Sequence, residues 1–387
     1  MKIGTWARLA LAVAPLLTGC SGFWNPPKSP TPPTTLTSGF FYVLNAGTNQ
    51  VAGFYVNKGV LTAVPGSPYS LAATPLAIAV APTNAFLYVS TLSGIYVYSI
   101  ATNGQLTLGN NSQLISADQA ASMQVDSTNT WLVEAFTGVA KLWAIHINSS
   151  TGLPASTIQQ SVPLASSLIQ QVKISPDNKF AFVALGTGGT AVVPFNPNSA
   201  NPFVATATYI PVKNSGGGAI SLAFDPITSA TTTPRAIYIG ETAASPSPNT
   251  GGLRVFTYSD FKEISGSPFA INGLAPSSIL PFSSGSFVYV LNRQVSGSST
   301  GIITGFSIAD TNGFTLTPLG STFTVGTNPQ DMIEDSTGAF VFAVNFNGNP
   351  DLTGYTINST KAGYLDTVIS AATGTGQVKP SSIGALH

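Results

Sequence analysis

Short groups of aromatic and β-branched residues recur along the chain, and Gly, Pro, Asn and Ser separate them. This alternation is typical of an all-β protein, in which short strands are joined by turns. Helical periodicity is missing beyond the amino-terminal segment, and no stretch approaches the ~18 apolar residues that a membrane-spanning helix requires. The pattern therefore predicts strands and turns over residues 39–387.

The strands belong to a repeated unit. The tetrapeptide Tyr42–Asn45 recurs identically at Tyr289–Asn292, and Gly66–Tyr69 recurs with one substitution at Gly266–Phe269. The unit can be read seven times, with one anchor residue in its second strand each time: Tyr42, Tyr88, Val133, Phe182, Tyr238, Tyr289 and Phe342. Six intervals span the 300 residues from 42 to 342, which gives 50 residues per unit.

A unit of this length suits one four-stranded blade, so the repeat predicts a seven-bladed β-propeller. The first unit has no first strand of its own, whereas Pro380–Leu386 is a first strand without a second strand after it. We therefore expect the carboxyl-terminal strand to join the amino-terminal blade and close the ring. Two stacked β-sandwiches are the alternative, although sandwiches require no such period.

Two further features connect this repeat with a known family. Tyr-Val or Tyr-Ile pairs begin at Tyr88, Tyr238 and Tyr289, and Ser175–Asn178 reads Ser-Pro-Asp-Asn. In these positions the chain resembles the lactonase-like, YVTN-type seven-bladed propellers. The resemblance implies that fold and, as one activity, hydrolysis of a sugar lactone in the manner of a 6-phosphogluconolactonase. The family's His-rich first strand and Pro-Arg-His stretch are missing from this sequence.

The amino-terminal 19 residues have the layout of a bacterial secretory signal peptide. Lys2 and Arg8 precede an apolar core at Leu9–Leu17, which is too short for a transmembrane anchor. The next residues, Leu17–Cys20, resemble the lipobox of bacterial lipoproteins, which implies cleavage before Cys20 and lipidation of its thiol. The membrane, reached through this lipid, is thus a predicted partner.

A Pro, Ser and Thr-rich tether follows the lipidated cysteine over residues 20–38. Five prolines in this segment exclude helix and sheet, so we expect an extended linker that holds the propeller clear of the membrane. By resemblance, Ser21 after the cysteine favours the outer membrane. The predicted location is the cell envelope, with the propeller exported and periplasmic or facing the surface.

Charge is scarce in this chain. Only 7% of residues are charged, against roughly 25% in an average soluble protein. Removal of the two basic residues in the leader leaves 12 basic and 14 acidic residues, a net charge of about −2. This balance gives no reason to expect nucleic acid as a partner. The single cysteine excludes an internal disulfide.

Candidate chemistry is sought on the upper face, where the loops after the second strands meet the starts of the first strands. Three residues beyond each anchor lies a ring of positions: Asn45, Thr91, Phe136, Leu185, Glu241, Asn292 and Asn345. From this ring and its neighbour we predict a ligand-binding set: Asn45, Glu241, Asn292, Arg293 and Asn345. Glu241, Arg293 and Asp331 are the catalytic candidates, since carboxylates and a guanidinium can polarise a lactone carbonyl. Solvated loop residues are the alternative interpretation.

Histidine and metal chemistry are poorly supported. His146 is predicted on the third strand of the third blade as an edge or surface residue, and His387 is expected to be mobile. Asp331, Glu334 and Asp335 suit calcium by their oxygen ligands, but strand alternation turns the first two to opposite faces, and Asp335 fits a turn. The sequence therefore predicts no metal site and no cofactor.

Two functions remain open. The first is a membrane-anchored binding module that uses the upper-face loops 241–252 and 293–301 to contact a protein, a glycan or a small molecule. The second is a lactonase-type hydrolase that acts on a sugar lactone. Turnover of a lactone that depends on Glu241, Arg293 or Asp331 would distinguish the enzyme from the binding module.

Overall fold

A computed structural model describes residues 38–156, 159–227, 233–244, 250–295, 297–310 and 313–387. The predicted signal peptide, the lipidation site Cys20 and all but residue 38 of the tether lie outside these ranges. Among the residues described, no helix has the length and hydrophobicity that a membrane crossing demands.

The described chain is built almost entirely of strands, with one 3-10 turn at Asn110–Ser112. In chain order the strands are β1 (Phe41–Asn45), β2 (Gln50–Asn57), β3 (Val60–Ala63), β4 (Tyr69–Ser70), β5 (Pro75–Val80), β6 (Phe86–Thr91), β7 (Gly94–Ile100), β8 (Leu106–Leu108), β9 (Ser122–Val125), β10 (Trp131–Ala135), β11 (Lys141–His146), β12 (Gln160–Pro163), β13 (Gln171–Ile174), β14 (Phe180–Ala184), β15 (Thr190–Pro194), β16 (Thr208–Ile210), β17 (Gly218–Phe224), β18 (Ala236–Thr242), β19 (Gly252–Thr257), β20 (Phe269–Ala270), β21 (Pro276–Pro281), β22 (Phe287–Asn292), β23 (Thr300–Ala309), β24 (Thr315–Thr327), β25 (Pro329–Glu334), β26 (Val341–Asn345), β27 (Leu352–Ile357), β28 (Leu365–Ala371) and β29 (Pro380–Ala385).

These strands form seven antiparallel sheets, which are the blades of a propeller. Blades 2 to 7 each contain four consecutive strands: β5–β8, β9–β12, β13–β16, β17–β20, β21–β24 and β25–β28. Blade 1 has the order β29-β1-β2-β3, and β4 also pairs with β2. The predicted seven-bladed, all-β propeller is confirmed.

The ring is closed by the carboxyl-terminal strand. Within blade 1, Val43 on β1 lies opposite Ile383 on β29, and the two strands are antiparallel. Strand β29 also contacts β25 of blade 7 on one side and β5 of blade 2 on the other. The first strand of every blade therefore contacts the first strand of the next, and the predicted closure from both chain ends is confirmed.

The core consists of seven apolar clusters, one between each pair of neighbouring blades. Between blades 7 and 1, for example, the rings of Phe41 and Phe342 stack with centroids 4.2 Å apart. All seven predicted anchor residues are fully buried, with relative exposures of 0%. Burial of large side chains between flat sheets is what holds radially arranged blades together.

Three anchor tyrosines also link neighbouring blades through their hydroxyl groups. Tyr42 donates a hydrogen bond to the carbonyl of Gly104 at 2.7 Å, Tyr88 to Gly152 at 2.9 Å, and Tyr289 to Gly363 at 2.9 Å. Each glycine lies in a turn of the following blade and has a positive φ. These turns therefore serve packing between blades as well as chain reversal.

The turns between first and second strands use one repeated cap. In three blades the side-chain oxygen of Asp126, Ser175 or Asp335 accepts hydrogen bonds from two backbone N–H groups of its own turn. Asp and Ser favour such turns because their short side chains reach the nearby backbone. The predicted place of Asp335 in the turn is confirmed.

Candidate functional site

A central cavity of about 580 Å³ lies on the propeller axis and is bordered by the first strands of all seven blades. It extends from the level of Asp331 to the turns between first and second strands, where Pro82, Ser127 and Asn178 border it. The cavity therefore reaches the face opposite the one on which the sequence analysis placed the ligand site.

Three layers of first-strand positions define this channel. We call the first the polar layer, because six of its seven members are polar: Ala77, Ser122, Gln171, Ser221, Ser278, Asp331 and Ser382. The second is the anchor layer, whose members pair with the anchor residues: Ala79, Gln124, Lys173, Ala223, Leu280, Ile333 and Gly384. The third is the mouth layer, one residue further on: Val80, Val125, Ile174, Phe224, Pro281, Glu334 and Ala385.

Asp331 is the charged member of the polar layer and joins three blades. Its carboxylate accepts hydrogen bonds from the hydroxyls of Ser278 at 3.0 Å and Ser382 at 2.9 Å. It also accepts the backbone N–H groups of Met332 at 2.9 Å and Ile383 at 3.3 Å. Four donors thus engage this carboxylate, which ties blades 6, 7 and 1 together.

Similar side-chain links continue around the channel. The side-chain oxygens of Ser122, Gln124 and Gln171 each accept a backbone N–H from the first strand of the next blade, at distances between 2.6 and 3.0 Å. These bonds satisfy N–H groups on strand edges that face no further strand. Most polar groups of the channel are therefore committed to the structure of the ring.

Lys173 differs from these residues because its ammonium has neither a hydrogen bond nor an ion pair among the residues described. It is the only charged side chain of the seven in the anchor layer. Blade 4 supplies Lys173 and blade 7 supplies Asp331, so the two approach the channel from nearly opposite sides. Burial lowers the pKa of Lys173, and the negative charge of Asp331 acts in the opposite direction.

Arg293 follows the end of β22 on the upper face and is solvent exposed. Its guanidinium has no ion pair within the described part of the chain. Desolvation lowers the pKa of Arg293, whereas the charge of Asp331 raises it. Two of the three catalytic candidates, Arg293 and Asp331, thus lie within range of each other's charge but form no ion pair, and the structure adds Lys173, which the sequence analysis missed.

Glu241 is placed elsewhere. Its carboxylate accepts a hydrogen bond from Arg254 at 2.8 Å and from the backbone N–H of Lys213 at 2.9 Å. Arg254 also binds Glu263 through two nitrogens, each at 3.0 Å. The Glu241 and Arg254 side chains are 1% and 6% exposed, and Glu241 does not border the central cavity. Glu241 is therefore part of a buried ion-pair cluster in the body of blade 5.

The predicted binding asparagines end their second strands, as expected, but they are fully buried. Asn45 exchanges hydrogen bonds with Thr373, Asn292 donates to the carbonyl of Ile271 at 3.3 Å, and Asn345 accepts from Gly326 at 3.1 Å. These contacts shape the loops of the upper face. A direct role for the asparagines in ligand binding stays a prediction. The two upper-face loops contain residues 245–249 and 296, which lie outside the described chain.

The acidic residues once considered for calcium have separate environments. Glu334 belongs to the mouth layer and accepts the backbone N–H of Ser283 at 2.7 Å and its hydroxyl at 2.6 Å. Burial raises the pKa of Glu334. Strand alternation turns the side chains of Asp331 and Glu334 to opposite faces of β25. Both residues still border the cavity, because the channel runs along the free edge of this strand. The described residues contain no group of three metal-ligating side chains.

The two histidines are held by their surroundings. His146 lies half-buried on β11, the third strand of blade 3, and its ring is 4.8 Å from the ring of Trp131. The backbone N–H of His387 donates a hydrogen bond to the side-chain oxygen of Asn84 at 2.8 Å, and the side-chain nitrogen of Asn84 donates to the carbonyl of His387 at 2.9 Å. His387 borders the cavity, and burial lowers its pKa. In the structure His387 is thus hydrogen-bonded to the turn of blade 2, and its mobility stays a prediction.

This architecture defines the chain as a seven-bladed β-propeller with a side-chain-lined central channel. The family model of the lactonases with a seven-bladed β-propeller matches residues 47–378. The protein therefore belongs to the lactonase family of seven-bladed propellers. No curated protein matches the chain in sequence.

Solved structures share the fold at low sequence identity. A putative 6-phosphogluconolactonase of Bacteroides uniformis superposes with a TM-score of 0.67 at 15% identity, over 90% of this chain and 99% of the other. A putative 6-phosphogluconolactonase of Bacteroides fragilis gives 0.66 at 18% identity, over 92% and 99%. The periplasmic gluconolactonase of Pseudomonas aeruginosa gives 0.64 at 16% identity, over 90% and 99%. At these identities the likeness shows the fold alone.

Proposed function

We propose that this protein is an exported binding propeller that takes up a small ligand in its central channel. The observation that carries this proposal is the contrast between the charges of the channel. The carboxylate of Asp331 is engaged by four donors, whereas Lys173, which also borders the cavity, has no ion-paired partner among the described residues. An unpaired cation beside a partly enclosed cavity is suited to a ligand.

Binding is favoured over hydrolysis because the carboxylates have other tasks. A general base needs a free lone pair within hydrogen-bond reach of the attacking water. Glu241 is bound by Arg254 outside the cavity, and the two oxygens of Asp331 hold neighbouring blades. Compared with the sequence analysis, this proposal moves the contact surface from the upper-face loops to the channel.

Lactone hydrolysis is the second candidate. It is favoured by membership of the lactonase family and by the electrostatic interaction of Arg293 with Asp331, which raises the pKa of Arg293. In this scheme the guanidinium of Arg293 would polarise the lactone carbonyl, while Asp331 would orient an attacking water. The relatives named as gluconolactonases support the same candidate.

One set of measurements distinguishes the two candidates. Hydrolysis of glucono-δ-lactone and its 6-phosphate is followed with a pH indicator, and binding of the lactones and of gluconate is followed by calorimetry. Binding without turnover above the buffer rate supports the binding propeller. Turnover that Arg293→Ala and Asp331→Ala abolish, and that Glu241→Ala leaves unchanged, establishes the hydrolase instead. Absence of both binding and turnover for every small ligand tested counts against a channel site.

Attachment to the membrane through Cys20 is a separate part of the proposal, and the lipobox at Leu17–Cys20 supports it. We expect Cys20→Ala to release the protein from the membrane fraction of the producing bacterium and to abolish palmitate labelling. Persistent membrane association of the unlabelled parent protein would refute lipidation. Fractionation into inner and outer membranes then tests the inference drawn from Ser21.

A further inference from the structure

The position of Lys173 leaves a positive charge in the channel without a counterion. An ammonium taken out of water is costly unless an anion or several acceptors replace its hydration shell. In the part of the chain that the structure describes, Lys173 has no such partner, and the charge of Asp331 acts on it across the channel. An anion in the cavity would supply the missing contact.

The remaining charges of the channel do not neutralise Lys173. Asp331 already accepts four hydrogen bonds. His387 borders the cavity and interacts electrostatically with Lys173, which lowers the pKa of His387 and so disfavours a second positive charge there. Glu334 lies in the mouth layer, where burial raises its pKa and Ser283 donates to both of its oxygens. The region around Lys173 therefore favours a negatively charged group.

The mouth layer, which lies between Lys173 and the turns, is mostly apolar, whereas the turns beyond it add Ser127, Ser175, Asn178 and His387 to the lining of the cavity. Six of the seven members of the mouth layer are apolar, and the wide side chains of Ile174, Phe224 and Val125 are among them. In the anchor layer, Leu280 and Ile333 face the same space. Sugar hydroxyls placed against this wall would lose hydrogen bonds to water without replacement, whereas an alkyl or aromatic group would not.

The geometry points to a carboxylate with an apolar body as the ligand of the channel, its carboxylate on Lys173 and its alkyl or aryl group along the mouth layer. This inference rests on the proposed function of the channel as a binding site and specifies the chemistry of the ligand. The turn between β13 and β14 lies two to three positions beyond Lys173 in the chain, so Lys173 lies roughly 7–10 Å inside the mouth of the channel. Hexanoate and 3-phenylpropionate have about this length.

The test compares charged and neutral ligands of one shape. The full-length protein in a non-ionic detergent is titrated by calorimetry with hexanoate, 3-phenylpropionate, the neutral hexanamide and the hydrophilic gluconate. We expect hexanoate to bind about tenfold or more tightly than hexanamide, because a charge-assisted contact to Lys173 is lost in the amide. We expect gluconate to bind more weakly than hexanoate.

Variants then assign the contact to one side chain. Lys173→Met should weaken hexanoate binding by about tenfold or more and leave hexanamide binding unchanged. Lys173→Arg should retain most of the affinity, which also covers the case in which the Met variant fails to fold. Lys179→Met is the matched control, because Lys179 is exposed and pairs with Asp177 outside the channel.

Two results would overturn the inference. Equal affinities for hexanoate and hexanamide would show that no positive charge recognises the ligand, and an unchanged affinity in Lys173→Met would show that Lys173 is not the contact. If gluconate or a lactone binds while hexanoate does not, the channel is still a ligand site and only the proposed chemistry is wrong. If none of these ligands binds, the proposal that the channel is a ligand site is itself contradicted.

Discussion

The hydroxyl of Tyr88 in blade 2 donates a hydrogen bond to the carbonyl oxygen of Gly152 in blade 3, at 2.9 Å. Gly152 has a φ of +69°, and a Cβ added there would lie 2.7 Å from the ring of Phe86. The glycine is thus required by its backbone conformation and by the close approach of an aromatic ring. Gly104 and Gly363 are in the same situation beside Phe40 and Phe287.

We predict that Gly152→Ala destabilises the propeller by about 2–4 kcal/mol, since it combines a strained φ with a clash between blades. Gly138→Ala is the matched control. Gly138 also has a positive φ, of +89°, but a Cβ there would meet no atom within 4 Å, so only about 1 kcal/mol should be lost. Urea unfolding of both variants measures the difference, and equal losses would show that the contact with Phe86 is unimportant.

The joint strand of blade 1 gives a second prediction. Ile383 is buried between blades 1 and 7, and we expect Ile383→Ala to cost about 2–4 kcal/mol of unfolding free energy. Ser381→Ala, on the same strand but less buried, should cost under about 1 kcal/mol. Deletion of residues 378–387 should abolish the single cooperative unfolding transition, because blade 1 and the ring are then incomplete. An unchanged melting curve would contradict the role assigned to β29.

The buried ion-pair cluster of blade 5 gives a third prediction. Arg254→Met leaves the carboxylates of Glu241 and Glu263 without their guanidinium, and we expect a loss of about 3–5 kcal/mol. Lys262→Met removes the exposed pair with Asp260 and should change the stability by under about 1 kcal/mol. Addition of Glu241→Gln to Arg254→Met should recover part of the loss. Thermal and urea unfolding measure these differences. A loss in Arg254→Met no larger than that in Lys262→Met would contradict the prediction.

Glu134 gives a prediction about pH. This residue is 0% exposed, and its pKa is raised well above the ordinary value of 4.5 by burial and by the neighbouring Asp118. Between 4.5 and its folded pKa, the folded protein binds more protons at this site than the unfolded chain. Stability should therefore fall as the pH rises through that window, and Glu134→Gln should remove this part of the dependence.

Glu263 is the control with the opposite sign. Burial raises its pKa, but hydrogen bonds from Arg254 and Ser267 outweigh that effect, so the pKa is lowered overall. Its contribution to stability should be present above pH 4.5 and be lost as the pH falls through the folded pKa. Between pH 3 and 8, the melting temperatures of both variants should depart from the parent as the pH rises, with opposite signs: Glu134→Gln upward and Glu263→Gln downward. Parallel curves would contradict both assignments.

Much of the fold could be predicted because each blade repeats the same local requirements. The anchor positions, including Tyr42 and Phe342, are apolar at a constant spacing, and turns such as Asn103 with Gly104 mark the reversals between third and fourth strands. The missing first strand of blade 1 is also visible in the sequence. These features depend on neighbours in the chain or on a period, and both can be read without coordinates.

The site was harder to predict because side-chain direction in the first strands depends on contacts between blades. A bulge between Pro329 and Asp331 shifts the pairing by one residue, so Asp331 lies opposite Val344 and reaches the channel. The partner of Glu241 is Arg254 on the next strand of blade 5, and nothing in the spacing distinguishes that pair from two solvated residues. Lys173 was missed because alternation alone does not show that β13 has a free edge toward the axis.

The pairing of Val43 with Ile383 joins residues that are 340 positions apart in the chain. During synthesis β1 is made first among the described strands and β29 last, so the edge of blade 1 stays open while the other six sheets are made. Until the last segment emerges, β1 presents unpaired backbone groups that a second nascent chain can capture. Among the strand pairings of the described chain, the pairing of β1 with β29 closes the longest loop, so it has the largest cost in chain entropy when the intervening chain is unfolded.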